Sequence, residues 1–208
     1  MKKNIDAILL IGPTGSGKTP LGNRFEREGL FGRRCHHFDF GHELRAIGGL
    51  KDPAPGFSAD EHSFVRNVLG KGLLLGDRHF PLAEKIFRGF LAGRGWQEPD
   101  MVILNGMPRH AGQARDMERL VHVICLLVLD CSEDDVCRRI ESNVGGDRAC
   151  RTDDAEEMVR KKIALYHQRT SLLVDHYADR GCSLVRLQVD AASTSEKTYE
   201  RFITELPS

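Results

Sequence analysis

The run Gly12-Pro13-Thr14-Gly15-Ser16-Gly17-Lys18-Thr19 matches G-x-x-x-x-G-K-[ST] at every fixed position. A loop of this kind holds phosphate. Its glycines let successive backbone N–H groups turn inward around an anion, and the helix that follows adds a partial positive charge. Backbone contacts to the phosphates are expected from Gly12, Thr14, Gly15, Ser16 and Gly17. Lys18 is expected to reach the β- and γ-phosphates of ATP, and the Thr19 hydroxyl to ligate Mg²⁺. The preceding run, Ala7-Ile8-Leu9-Leu10-Ile11, reads as a buried strand, and the segment through Phe25 and Glu28 reads as helix. Strand, glycine loop and helix in that order separate a phosphate loop from a chance match. Pro20 is tolerated because it falls in the first helical turn, where no intrahelical N–H bond is lost.

Further charged residues stand near predicted strand ends. Arg45 and Arg109 each lie just past one, where ligands bind in an α/β sheet. Their guanidinium forks match phosphate oxygens. Asp39 also ends a strand, and its residue type leaves three roles open. It can cap the helix starting near Gly41–Leu44, contact Mg²⁺ or its water, or take a proton from a hydroxyl acceptor. His36, His37, His42, His79 and His110 flank these strand ends without metal-ligand spacing, and are expected to be ordinary, partly exposed histidines.

The elements that must position these groups alternate along the chain. Strands are predicted at Asp6–Ile11, Cys35–Asp39, Asp100–Leu104, His122–Leu129 and Ser183–Val189. Helices are predicted at Lys18–Glu28, Ala59–Leu69, Pro81–Leu91, Ala111–Arg119, Glu133–Glu141 and Asp154–Asp179, the last as one helix or two. Such alternation argues for an α/β fold, a parallel sheet covered by helices. Gly48 to Ser58 is rich in Gly and Pro, and Val144 to Arg148 reads as a mobile loop; arginine-bearing glycine loops suit lids over phosphates.

The 208 residues suffice for one well-buried core. Lysine plus arginine number 30, as do aspartate plus glutamate. The balance removes any global attraction for nucleic acid or an anionic membrane, so neither partner is expected. The longest apolar run, Val123 to Leu129, is too short to span a bilayer. No signal peptide is expected ahead of the first strand. The six cysteines form no C-x-x-C pair, which argues against a zinc site or a disulfide framework. A reducing, cytoplasmic setting fits that usage.

Taken together, these motifs resemble the adenylate kinase family of nucleoside monophosphate kinases, as a divergent member with a short lid. The likeness runs from about Ile8 to Arg201. Gly41-His42-Glu43-Leu44-Arg45 is similar to the family's Gly-Asp-x-Leu-Arg, and Gly72-Leu73-Leu74-Leu75-Gly76-Asp77 to its Gly-x-Leu-Val-x-Asp. Asn105-Gly106-Met107-Pro108-Arg109 with Gln113 is similar to Asp-Gly-Phe-Pro-Arg-x-x-x-Gln. Arg151-x-Asp153-Asp154, then Glu156-Glu157, Arg160-Lys161-Lys162 and Tyr166, is similar to the segment after the family's lid.

The resemblance implies a P-loop three-layer α/β/α fold with a five-stranded parallel sheet. It implies a helical monophosphate-binding excursion at about 41–75 and a short lid at about 141–150, all within one domain spanning 1–208. It implies reversible transfer of the γ-phosphoryl group of ATP to a nucleoside monophosphate, AMP favoured, with Mg²⁺, by a monomer. Arg45 and Arg109, with Gly41 and Gly106 beside them, would clamp the acceptor. Gln113 would hydrogen-bond its base, with Leu75 packing near it and Leu74 in support. Lys18, Arg139, Arg151 and Lys162 would gather on the transferring group, Arg138 being the adjacent alternative to Arg139.

Departures from the family pattern leave two other functions open. Asn105 stands where the family has an aspartate near Mg²⁺ through water, and an amide cannot supply that charge. Lys162 stands for an arginine, Asn143 for a lid arginine that Arg148 would replace, and Phe40 for a small hydroxyl residue at the acceptor base. One alternative is a P-loop kinase of a small-molecule hydroxyl with Asp39 as base. The other is a nucleotide-binding protein without catalysis.

Overall fold

The computed structural model describes residues 5–73, 75–147 and 156–206. Five strands form one all-parallel sheet among the described residues: β1 (Ile5–Ile11), β2 (Cys35–Asp39), β3 (Met101–Asn105), β4 (Val121–Asp130) and β5 (Ser183–Gln188). Their spatial order is β2-β3-β1-β4-β5. The strands of the middle are near-continuous apolar runs because helices cover both of their faces. Ala7, Leu9 and Ile11 of β1 enter one core with Phe38, Leu104 and Phe87, whereas Ile8 and Leu10 enter the other with Leu21, Phe25 and Phe202. The two-residue period of a strand thus divides one short sequence between two layers.

Helix α1 (Lys18–Glu28) follows the phosphate loop and packs beside β2. Helix α2 (Phe40–Gly48) begins directly at the end of β2, with Asp39 as its N-cap. This helix lies in the segment the sequence reading treated as an excursion. Helix α3 (Ala59–Lys71) starts with a complete Ser58–Glu61 capping box and packs on α2. The chain continues through α4 (Phe80–Arg94), α5 (Ala111–Met117) and α6 (Glu133–Ser142).

Beyond the undescribed stretch, α7 (Glu156–Leu165) runs into a π turn at Tyr166–Thr170, and α8 (Leu173–Ala178) follows. The long predicted helix is therefore divided, and its predicted start at Asp154 lies outside the described residues. A further helix, α9 (Ser195–Glu205), is not among the predicted elements. Its only fully buried apolar residue is Phe202, whose ring meets Phe25 edge-on at 5.1 Å. One apolar anchor leaves almost no periodic signal.

β2 corrects the expectation for two histidines. His36 and His37 are 5 % and 6 % exposed, because α1 and α4 cover the strand on its two faces. His36 Nε2 lies 2.8 Å from the carboxylate of Asp100, which also binds Arg34 Nη2 at 2.6 Å. Among the described residues, no helix is long and apolar enough to cross a membrane.

Candidate active site

β1 lies at the centre of the sheet, and the chain leaves its C-terminal edge into the phosphate loop. Sheet order reverses here, which opens a crevice at the strand ends. Gly17 takes φ 94°, a left-handed conformation, as it turns the chain into α1. Lys18 Nζ donates to the carbonyls of Gly12 at 2.7 Å and Pro13 at 2.6 Å, so the lysine is folded along its own loop. Thr14, Gly15, Gly17 and Thr19 line the same cleft, while the side chain of Ser16 is buried against the loop.

Arg139 of α6 is 5 % exposed. Its Nε donates to the Gly15 carbonyl at 2.9 Å, and its Nη1 to the carbonyls of Asp190 and Ser193 at 2.6 and 2.8 Å. A methyl group built on Gly17 would stand 2.8 Å from its Nη2. The side chain therefore braces the phosphate loop against the β5–α9 connection while still lining the cleft. The motif names the residue, but these carbonyls lie far off along the chain.

Thr19, Asp39 and Asn105 meet at the floor. Thr19 Oγ1 donates to Asp39 Oδ2 at 2.6 Å. Asp39 Oδ1 accepts from the backbone N–H of His42 at 2.9 Å, which is the helix cap. Burial raises the Asp39 carboxyl pKa, but the Thr19 hydroxyl, the His42 N–H and the nearby His37 and Arg45 outweigh it, leaving it below its ordinary value. A hydroxyl and a carboxylate beside a phosphate loop are the hard oxygen donors that Mg²⁺ takes. Among the described residues, no group of three His, Cys, Asp or Glu could hold a metal ion. A cation here would depend on nucleotide oxygens as well.

The other wall carries the two arginines. A methyl group at Gly41 would stand 3.3 Å from Arg45 Nη1, and one at Gly106 would stand 3.8 Å from Arg109 Nη2 and 3.7 Å from the Gly41 nitrogen. Gly41 and Gly106 thus adjoin, and the two guanidinium groups converge on them from separate elements. Gln113 is buried. Its Oε1 accepts from the Arg109 N–H at 2.9 Å, and its Nε2 donates to the Leu75 carbonyl at 2.9 Å. The amide ties the loop after β3 to the loop after α3. Leu75 is 3 % exposed and lines the cleft with Phe40, Leu44 and Leu69. Phe40 also packs on Phe38, with ring centroids 6.0 Å apart.

Lys162 and Tyr166 close the cleft from α7 and the turn after it, and Thr170 donates to the Arg109 carbonyl at 3.1 Å. Val144 and Gly145 border it beyond α6, Gly145 lying against Pro20. Asn143 ends α6 with φ 46°, a conformation asparagine tolerates better than arginine does. Leu74, Arg148, Cys150, Arg151, Asp153 and Asp154 lie outside the described residues.

A parallel sheet with a glycine phosphate loop at the C-terminal edge of its central strand defines a P-loop kinase-like fold. No family model matches the chain. It is 30% identical over 210 residues to an adenylate kinase of Synechococcus sp. (strain WH7803), covering 96% of this chain and 97% of that one. It is 29% identical over 213 residues to an adenylate kinase of Thermus thermophilus, covering 94% of each. Over 183 residues it is 24% identical to UMP-CMP kinase 1 of Oryza sativa subsp. japonica, covering 86% of this chain and 66% of that one. The chain belongs to the adenylate kinase family. It is a nucleoside monophosphate kinase, an ATP-binding transferase of nucleotide metabolism.

Proposed function

We propose that this protein transfers the γ-phosphoryl group of ATP to AMP, reversibly and with Mg²⁺. The observation that carries this reading is the convergence of Arg45 and Arg109 in the cleft that also holds Lys18 and Thr19. One cationic set suits the donor phosphates and the other suits an acceptor phosphate. Little covalent work is asked of the protein in phosphoryl transfer, so alignment and charge compensation are the chemistry required. The AMP preference is supported by the adenylate kinases among the relatives, the wider class by the UMP-CMP kinase.

In this reading Gly12 to Thr19 cradle the ATP phosphates, and Lys18 leaves its loop carbonyls for them. Arg45 and Arg109 hold the acceptor phosphate beside Gly41 and Gly106. The base lies toward Leu75 and Gln113. Gln113 commits one N–H to Leu75 and one lone pair to Arg109, and its second N–H reads the base. The Thr19 hydroxyl would hold Mg²⁺, which would supply charge neutralisation to the phosphates. Arg139, Arg151 and Lys162 add positive charge around the transferred group. Residues 41–75 act as the acceptor-binding excursion and 141–150 as a short lid that excludes water, whose attack would waste ATP. The protein works as a cytoplasmic monomer, and no nucleic acid or membrane enters the reading.

The test is ADP release from MgATP with AMP, CMP, UMP, GMP and dTMP, with Lys18→Ala as control. Turnover with AMP that is lost in the control supports the proposal. Turnover confined to another monophosphate overturns the AMP preference, and silence with all five overturns the acceptor class.

A further inference from the structure

Asp39 and Asn105 are register partners at the ends of β2 and β3. The two N–H groups of the Asn105 amide are shared among three acceptors, of which Asp39 Oδ2 lies at 3.0 Å and Thr19 Oγ1 at 3.1 Å. The third is His37 Nε2, at 3.3 Å. On the far side of that ring, His37 Nδ1 is 2.8 Å from Asn23 Oδ1. An amide oxygen there accepts the Nδ1–H, so Nε2 presents its lone pair toward Asn105. The amide must then turn its nitrogen inward, and the same nitrogen faces Asp39.

The histidine is locked from a third direction. A Cβ built on Gly22 of α1 would stand 2.2–2.6 Å from three atoms of the His37 ring, far inside contact distance. The ring occupies a notch that a glycine alone leaves open. A run of contacts from Asn23 through His37 and Asn105 to Asp39 and Thr19 therefore joins α1, β2 and β3 behind the phosphate loop.

The carboxylate of this floor resides on β2. A carboxylate at position 105 would put an acceptor where Asp39 Oδ2 and Thr19 Oγ1 now face an N–H donor. It would also set an acceptor against the lone pair of His37 Nε2. Asp39 divides its two oxygens between separate duties. Oδ1 caps α2, and Oδ2 faces Thr19, the hydroxyl next to the phosphate-loop lysine.

We propose that Asp39 supplies the carboxylate directed at the nucleotide-bound divalent cation, and that Asn105, oriented by His37 in the Gly22 notch, is its positioning residue. The proposal rests on the reading that the nucleotide is used with Mg²⁺. It assigns Asp39 to the cation and the cap together, and excludes it as the base for a hydroxyl acceptor.

The test needs no acceptor. Mn²⁺ binding to the complex of intact protein and ATP is measured by loss of the free-ion electron paramagnetic resonance signal, and ATP affinity by calorimetry with and without Mg²⁺. Asp39→Asn preserves the cap, because asparagine caps as well as aspartate. It is expected to weaken Mn²⁺ binding in the complex about 10-fold or more, without weakening metal-free ATP binding. Asp39→Ser, another capping residue, serves the same purpose should the first variant not fold. Wild-type Mn²⁺ affinity in a folded Asp39 variant overturns the assignment, and retained Mn²⁺ affinity with lost phosphoryl transfer would indicate a general base. Asn105→Asp is expected to leave Mn²⁺ binding no tighter, since it removes the N–H that positions Asp39; clear tightening refutes the positioning role of Asn105. A protein that loses Mn²⁺ affinity in Asp39→Asn, yet phosphorylates no monophosphate, would sink the kinase reading and leave this one standing.

Discussion

Arg139 and Gly15 are joined by a hydrogen bond of 2.9 Å from the guanidinium Nε to the loop carbonyl, although 124 positions separate them in the chain. The phosphate loop is thereby tied to α6, and through the other arginine nitrogens to the connection before α9. Removing the guanidinium leaves three carbonyls without these partners. Arg139→Met is expected to cost about 3 kcal/mol of stability, the scale of losing charged hydrogen bonds at a buried site. Urea unfolding of the two proteins checks this. A loss confined to activity, with an unchanged midpoint, would argue against the bracing role.

Lys18 offers the opposite case. Its amino group donates to carbonyls of its own loop, a few positions away in the chain. Lys18→Ala is expected to keep the thermal midpoint within a few degrees and to lower kcat at least about 100-fold, as loss of an electrostatic contact in the transition state does. Steady-state kinetics alongside a melting curve decide the matter.

Arg109 is the sharpest probe of the acceptor. Arg109→Ala should lower kcat/KM for the monophosphate by about 100-fold or more and leave ATP affinity nearly intact. Arg109→Lys should recover little, because an ammonium lacks the bidentate fork. Equal losses of ATP and monophosphate affinity would contradict the division of the cleft.

Gly22 tests the packing behind the site. Gly22→Ala puts a methyl group 2.2 Å from His37 Nε2, and overpacking of that kind costs about 1–3 kcal/mol. Chemical denaturation gives the number. A neutral result would mean that the ring moves aside at no cost.

Asp100 contributes to the acid limb of stability. The Arg34 hydrogen bond, opposed by burial and helped by His36 and the Gln97 N–H, holds its carboxyl down at about 2. A carboxyl lowered in the folded state contributes stability above its unfolded pKa, near 4, and loses it as pH falls toward 2. Asp100→Asn should therefore be less stable than wild type at pH 7, and the difference should shrink between about pH 4 and pH 2. Urea midpoints at neutral and acid pH read this directly, and a difference independent of pH would rule it out.

The phosphate loop was legible in the sequence because its chemistry is local. Backbone N–H groups, a lysine and a hydroxyl within a short run need no distant partner to announce themselves. The strands were legible for a similar reason, since an apolar run bounded by polar residues records burial along the chain. Arg45, Arg109 and Gln113 could be named from motifs, but their convergence could not. Gly41 and Gly106 adjoin only because β2 and β3 pair in register.

What the sequence determined by itself was the α/β alternation, the phosphate loop and the identity of the charged residues at the strand ends. Only the tertiary structure decided which of those residues share a charge, a proton or a wall. Asp39 showed three open roles in sequence, and the β2-β3-β1 order set its two oxygens against α2 and Thr19. His36 and His37 read as ordinary partly exposed histidines until α1 and α4 covered their strand, and α9 stayed hidden because one phenylalanine anchors it. The physical reason is common to these cases. Periodicity and motif report what a residue does within its own element, whereas hydrogen bonds and burial across the sheet depend on which distant element the fold brings beside it.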